Sequence, residues 1–187
     1  MIKLVLFDLD GVLIDAKKLH YDALNLALGK TYSISEEEHT NVYDGRKTRE
    51  KLDMLTKQKG LPVELHDQIY EKKQNLTIRL ISDLKPIPEI VKLFKELEWQ
   101  GYKIGVCSNS IRRTVLTALA KTELMEYCSL TLSNEDVKNS KPHPEMYWKA
   151  MSMMGALPEE TLIVEDSPPG LLSAQRSRAN SVRDDNP

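Results

Sequence analysis

The chain lacks the features that several protein classes depend on. It has only two cysteines, Cys107 and Cys128, in no metal-ligand spacing. Both sit in or beside apolar segments, so they read as buried free thiols of a reducing, cytoplasmic compartment. No apolar run reaches membrane-spanning length, and Lys3 and Asp8 interrupt the run behind Met1, so no signal-peptide pattern is present there. There is no basic excess: the formal net charge of -2 argues against a general nucleic-acid binder. No internal repeat or low-complexity segment is found. What remains is ordinary for a globular protein, 41% hydrophobic and 29% charged over 187 residues, enough for one well-packed domain with a smaller insert.

Four short apolar runs stand out: IKLVLF (2–7), KIGVCS (103–108), SLTLS (129–133) and TLIVED (161–166). Mostly rich in branched aliphatics and bounded by polar residues or glycine, they suit buried parallel strands. Helical spacing lies between them, in PEIVKLFKELEWQ (88–100) before Gly101, TVLTALAKTELM (114–125), and PEMYWKAMSMMG (144–155). Alternating strands and helices predict an α/β fold, a Rossmann-like parallel sheet with a ligand crevice at the strands' C-terminal ends. Residues 16–83 break this rhythm: they show only helical periodicity and predict an all-helical cap over that edge of the sheet. The core is then 1–15 and 84–187.

Each polar cluster follows a strand. Asp8 and Asp10 follow the first, Ser108 and Asn109 the second, Lys141 lies after the third, and Glu165 and Asp166 end the fourth. Converging there, four carboxylates need a cation, and hard oxygen ligands without His or Cys point to Mg²⁺. A magnesium ion beside a lysine suits a phosphoryl group, whose oxygens need neutralising as it transfers. One carboxylate can attack phosphorus, and a second, two residues on, can carry protons. Gly11 lets the backbone turn where a Cβ would clash.

FDLDGVLID, CSNS, SKPHP and IVEDSPPG, in that order, resemble the four motifs of the haloacid dehalogenase-like hydrolase superfamily. The chain is most similar to its beta-phosphoglucomutase-like and small-molecule phosphatase branch, with the helical insert resembling that branch's cap. The resemblance implies Asp8 as nucleophile and Asp10 as general acid/base. It implies Mg²⁺ held by Asp8, the Asp10 carbonyl and Asp166, with Glu165 in or beside the set. Ser108 and the Asn109 amide would bind phosphoryl oxygens, and Lys141 would neutralise the nucleophile. YDGRKTRE matches the substrate loop, making Gly45, Arg46 and Arg49 specificity candidates, with His20 and Lys73 behind them. The partner implied is a small phosphorylated metabolite, on a monomer or weak dimer.

Simpler readings compete. A calcium loop fails on spacing, since Val12 stands where an EF-hand needs a ligand. Ser167 can cap a helix while Asp166 binds metal. Arg46 and Arg49 could serve in i,i+4 surface pairs, and His20 could be a packed histidine. A receiver domain uses similar residues but places its acidic pair first and has no cap. A beta-phosphoglucomutase-like transferase and a non-catalytic interaction relative also compete with the phosphatase reading. The branch usually ends its last motif helix in Ala-Gly and then adds a strand. Here Asn180 stands at the glycine position as a left-handed cap, and the polar SVRDDNP predicts a missing or stub final strand with an exposed edge.

Overall fold

A computed structural model describes residues 1–184; the last three residues of the SVRDDNP tail lie outside the described part. Five parallel strands form one sheet in the order β3-β2-β1-β4-β5. They are β1 (Leu4–Phe7), β2 (Lys103–Cys107), β3 (Leu130–Leu132), β4 (Thr161–Glu165) and β5 (Asn180–Arg183). β1 sits centrally, with Val5 opposite Ile104 on one side and Leu162 on the other.

The pleat sends alternate side chains to opposite faces. Val5 and Phe7 join Ile104 and Val106 in a cluster closed by Phe94 of α5 (Pro88–Trp99) and by Val115 and Leu119 of α6 (Arg112–Lys121). Phe7 and Phe94 stack with centroids 5.0 Å apart. Leu4 and Leu6 face the other way, onto Met146, Tyr147 and Met151 of α7 (Glu145–Met154) and Ala174 of α8 (Pro168–Ser177). Both sheet faces are therefore covered, as the unbroken apolar runs required.

Residues 16–83 contain no strand: α1 (Lys17–Leu28), α2 (Glu36–Glu38) running into a π-helical His39–Tyr43, α3 (Thr48–Lys59) and α4 (His66–Ile81). Leu24, Leu28, Tyr43, Leu52, Leu55 and Ile69 give this helical segment its own buried cluster. Among the described residues, no helix is long and apolar enough to cross a membrane.

Two local readings change. α6 spans Arg112–Lys121 instead of 114–125. The Thr122 hydroxyl donates back to the Ala118 carbonyl at 2.8 Å, and Glu123 turns to a positive φ of 60°, which together stop the helix. The left-handed cap of α8 is Arg178, φ 67°, not Asn180. The helix ends earlier than the motif suggests, and Asn180 instead opens β5, its amide donating to the Thr161 carbonyl at 3.1 Å. β5 is the stub expected of the polar tail, an edge strand paired to β4 from Asn180 to Arg183 and exposed throughout. Cys107 is buried and Cys128 only partly so; both are free.

Candidate active site

Because all strands run parallel, their C-terminal ends share one edge, where the polar clusters meet. Asp8 is the first residue beyond β1, its amide donating to the Val164 carbonyl at 2.9 Å. Lys141 reaches in from the loop after β3 and is only 5% exposed. Its Nζ donates to Asp8 Oδ1 (2.8 Å), the Cys107 carbonyl (2.7 Å) and Glu165 Oε1 (2.5 Å). One buried ammonium thus stands between two buried carboxylates. Burial alone would lower its pKa, but Asp8 and Glu165 outweigh that and hold it above its ordinary value. Asp8 moves the other way: burial, then the Glu165 charge, push its pKa well above the usual carboxylate range, against the pull of Lys141. Added positive charge beside Asp8 would favour its ionised form.

The acidic set could accept that charge. Asp8, Glu165 and Asp166 each present an oxygen, all within 4.8 Å of one another. Glu165 Oε2 and Asp166 Oδ1 are buried and accept no hydrogen bond, an expensive state for carboxylate oxygens unless a cation supplies it. Asp166 Oδ2 lies 3.1 Å from Nζ of Lys17, which is half exposed and free to move. These donors fit a hard divalent ion. Gly11 makes room: at φ 93°, a Cβ there would sit 2.1 Å from Asp166 Oδ2. Ser167 caps α8 through the Gly170 amide, so the capping and acidic roles coexist in neighbouring residues.

Asp10 does not share the trio's oxygens. His20 Nε2 lies 3.1 Å from its Oδ1, and Ser110 donates to its Oδ2 at 2.8 Å. Burial pushes its pKa up, but these two partners win and bring it to about 2. Lys73 Nζ lies 3.3 Å from His20 Nδ1. A lysine donating to Nδ1 leaves the proton on Nε2, facing Asp10. His20 is therefore neither a surface residue nor free; it positions Asp10.

Other candidates are placed as follows. Ser108 is fully buried, and its Oγ accepts from the Ser110 amide at 3.0 Å. It does not line the cavity above Asp8; Ser110 does. Asn109 spends its side-chain amide on the Gly45 carbonyl (2.9 Å) and the Lys141 carbonyl (3.1 Å), tying the helical segment to the sheet side. Gly45, at φ 68°, packs so closely that a Cβ would stand 2.8 Å from Pro169 Cγ. Arg46 pairs with Glu50, the i,i+4 arrangement expected of a surface helix start. Arg49 pairs with Asp67 at 2.5 Å and lies over the Tyr70 ring. Both arginines line the cavity, which measures about 230 Å³, together with Asp8, Asp10, Lys141, Lys51 and Lys73.

Three residues escape the sequence reading. Ser110 is the second serine of CSNS and could have been weighed beside Ser108. Tyr147 donates to Glu165 Oε1 at 2.5 Å; a tyrosine at a buried helix position needs such a partner. Lys51 shares the buried stripe of α3 with Thr48, Leu52 and Leu55, where a lysine is out of place.

A haloacid dehalogenase-like hydrolase family model matches residues 5–183. The chain is 30% identical over 191 residues to a protein of Bacillus mycoides named pyrophosphatase PpaX, covering 97% of this chain and 82% of that one. It is 27% identical over 177 residues to a Thermotoga maritima phosphorylated carbohydrates phosphatase, covering 91% and 79%. The crystal structure of a beta-phosphoglucomutase from Clostridium difficile overlays with a TM-score of 0.87 at 25% identity, covering 98% and 84%. With the match running from the first strand to the last, the chain is an enzyme of the haloacid dehalogenase-like hydrolase family.

Proposed function

We propose that the protein is a Mg²⁺-dependent phosphatase of small phosphomonoesters, of sugar or polyol phosphate type, working through an aspartyl phosphate on Asp8. The observation that carries this is Asp8 itself: a buried carboxylate at a strand end, salt-bridged by Lys141 and open to a cavity. The name of the Thermotoga relative supports a sugar phosphomonoester, and that of the Bacillus relative supports hydrolytic release of phosphate. Residues 16–83 act as the cap, and 1–15 with 84–187 as the catalytic core.

A carboxylate oxygen of Asp8 attacks phosphorus as the bond to the leaving oxygen breaks. Asp10 gives that oxygen its proton, then takes one from the water that cleaves the phosphoenzyme and frees phosphate. Asp10 is a carboxylate in the free enzyme; the arriving phosphoryl charge raises its proton affinity, so it takes up a proton from water as the substrate binds and holds it for the leaving oxygen. His20 and Ser110 fix its direction. Lys141 neutralises oxygen charge on the phosphoryl group. Asp8, Asp166, Glu165 and the Asp10 carbonyl would hold Mg²⁺, which when bound neutralises phosphoryl oxygens and keeps Asp8 ionised.

Phosphate release from a panel of sugar and polyol phosphates tests this reading. Chelation with EDTA is expected to abolish release and added Mg²⁺ to restore it; full activity in EDTA would contradict the metal assignment. The beta-phosphoglucomutase likeness gives a second reading, in which the phosphoryl group returns to sugar. It is favoured if the protein isomerises beta-glucose 1-phosphate faster than it releases phosphate.

Gly45→Ala tests the cap's seat. Left-handed alanine costs about 1–2 kcal/mol, and the Cβ would also press on Pro169. About a tenfold fall in kcat/KM is expected; an unchanged value would show that Gly45 does not set cap position.

A further inference from the structure

The helical side of the cavity holds two lysines that form no ion pair among the described residues. Lys51 on α3 and Lys73 on α4 are each 6% exposed, and both line the cavity. Lys51 takes part in no ion pair or side-chain hydrogen bond among the described residues. Lys73 touches only the neutral His20 ring at 3.3 Å. Asp44, Asp10 and Glu50 act on Lys51 only through space, and on Lys73 only Asp10 does so. The neighbouring arginines differ, for Glu50 and Asp67 already satisfy them.

Burying an ammonium is costly unless a negative partner meets it, and here none from the chain does. Burial and mutual repulsion both disfavour charge here. Burial, then the Lys51 charge, lowers Lys73 to about 7, and burial lowers Lys51 to about 8. His39, beside them, is driven to about 3 by burial and then Lys51, and its buried Nε2 has no partner. An anion entering the cavity would meet both ammonium groups and favour their charged forms.

Direction matters as well. The transferred phosphoryl group lies by Asp8 and Lys141. Lys73 reaches Asp10 through His20, so it lies beyond the residue that protonates the leaving oxygen. Lys51 lines the same cavity and lies close enough to act on Lys73 and Asp10 through space. Resting on the phosphatase reading above, we infer that Lys51 and Lys73 form a second anion site for the leaving group. The substrate then carries two anionic groups: the phosphoryl group that is transferred and a phosphate or carboxylate on the departing part.

The test compares inorganic diphosphate, a sugar bisphosphate and a phosphorylated carboxylic acid with glucose 6-phosphate and p-nitrophenyl phosphate. The proposal expects wild type to prefer a doubly anionic compound by at least tenfold in kcat/KM, and the responding compounds show whether phosphate or carboxylate is held. Lys51→Met and Lys73→Met are expected to shrink that preference at least tenfold, through KM more than kcat, with Lys51→Arg restoring it. No preference in wild type, or equal loss on both classes in the variants, overturns the second site and leaves the phosphatase reading standing. Absence of phosphate release from every compound overturns the phosphatase reading instead. Binding of non-hydrolysable methylenediphosphonate, measured by calorimetry, then decides the site: tenfold weaker binding by Lys51→Met supports it, and equal binding refutes it. Thermal melting of each variant confirms that folded protein is compared.

Discussion

Asp8→Asn is expected to abolish phosphate release, by at least about 10⁴-fold, because the amide cannot form the phosphoenzyme. The same variant, compared with wild type in EDTA, should melt no lower at neutral pH. Asp8 has a folded-state pKa above its unfolded value, with burial and Glu165 as the causes. A group shifted that way stabilises the fold at low pH, and its contribution is lost as pH rises through the folded value. Asparagine removes that cost while keeping the shape. Lost activity with an intact or higher melting temperature thus separates a nucleophile from a structural residue. Retained turnover would remove Asp8 from the chemistry.

Lys141→Met should damage both stability and activity. The ammonium is the only cation within ion-pairing distance of Glu165 among the described residues, and it also meets Asp8. Removing one partner from a buried ion pair leaves uncompensated charge, at a cost of about 3–5 kcal/mol. For a chain of this size that is a fall of roughly 10 °C in melting temperature. Adding Glu165→Gln should recover much of the stability, since the amide needs no counter-charge. It should not recover turnover, because the phosphoryl group still lacks Lys141. A single variant melting within a degree or so of wild type would show that the pair does not hold the loop after β3. A double variant regaining turnover would assign Lys141 a structural task only.

The sheet was legible because its signal is local. Short aliphatic runs such as LVLF and TLIVE have few folded uses other than buried strands, and each leads directly into the acidic residues of the crevice. The acidic cluster followed from topology, as parallel strands bring residues far apart in sequence to one edge. Pairwise commitments were not legible. Nothing in CSNS says that Ser108 turns inward onto the Ser110 amide while Ser110 faces Asp10. Nothing in His20 says whether it packs, binds or positions; only its distance to Asp10 does. Helix ends were set by single side chains, Thr122 and Arg178, whose hydrogen bonding and backbone angles periodicity does not encode. Nothing in REKLDML singles out Lys51, because charge on a helix usually faces water. The buried stripe it shares with Leu52 and Leu55 makes it exceptional.

The most direct measurement is rapid acid quenching during turnover, followed by peptide mass spectrometry for the phosphorylated residue. A phosphoryl group on Asp8, labile to hydroxylamine as an acyl phosphate, formed and lost at rates matching turnover, is the predicted result. Phosphate on Ser108 or Ser110, or rapid turnover with no phosphorylated enzyme and a phosphorylation-silent Asp8 peptide, would contradict it.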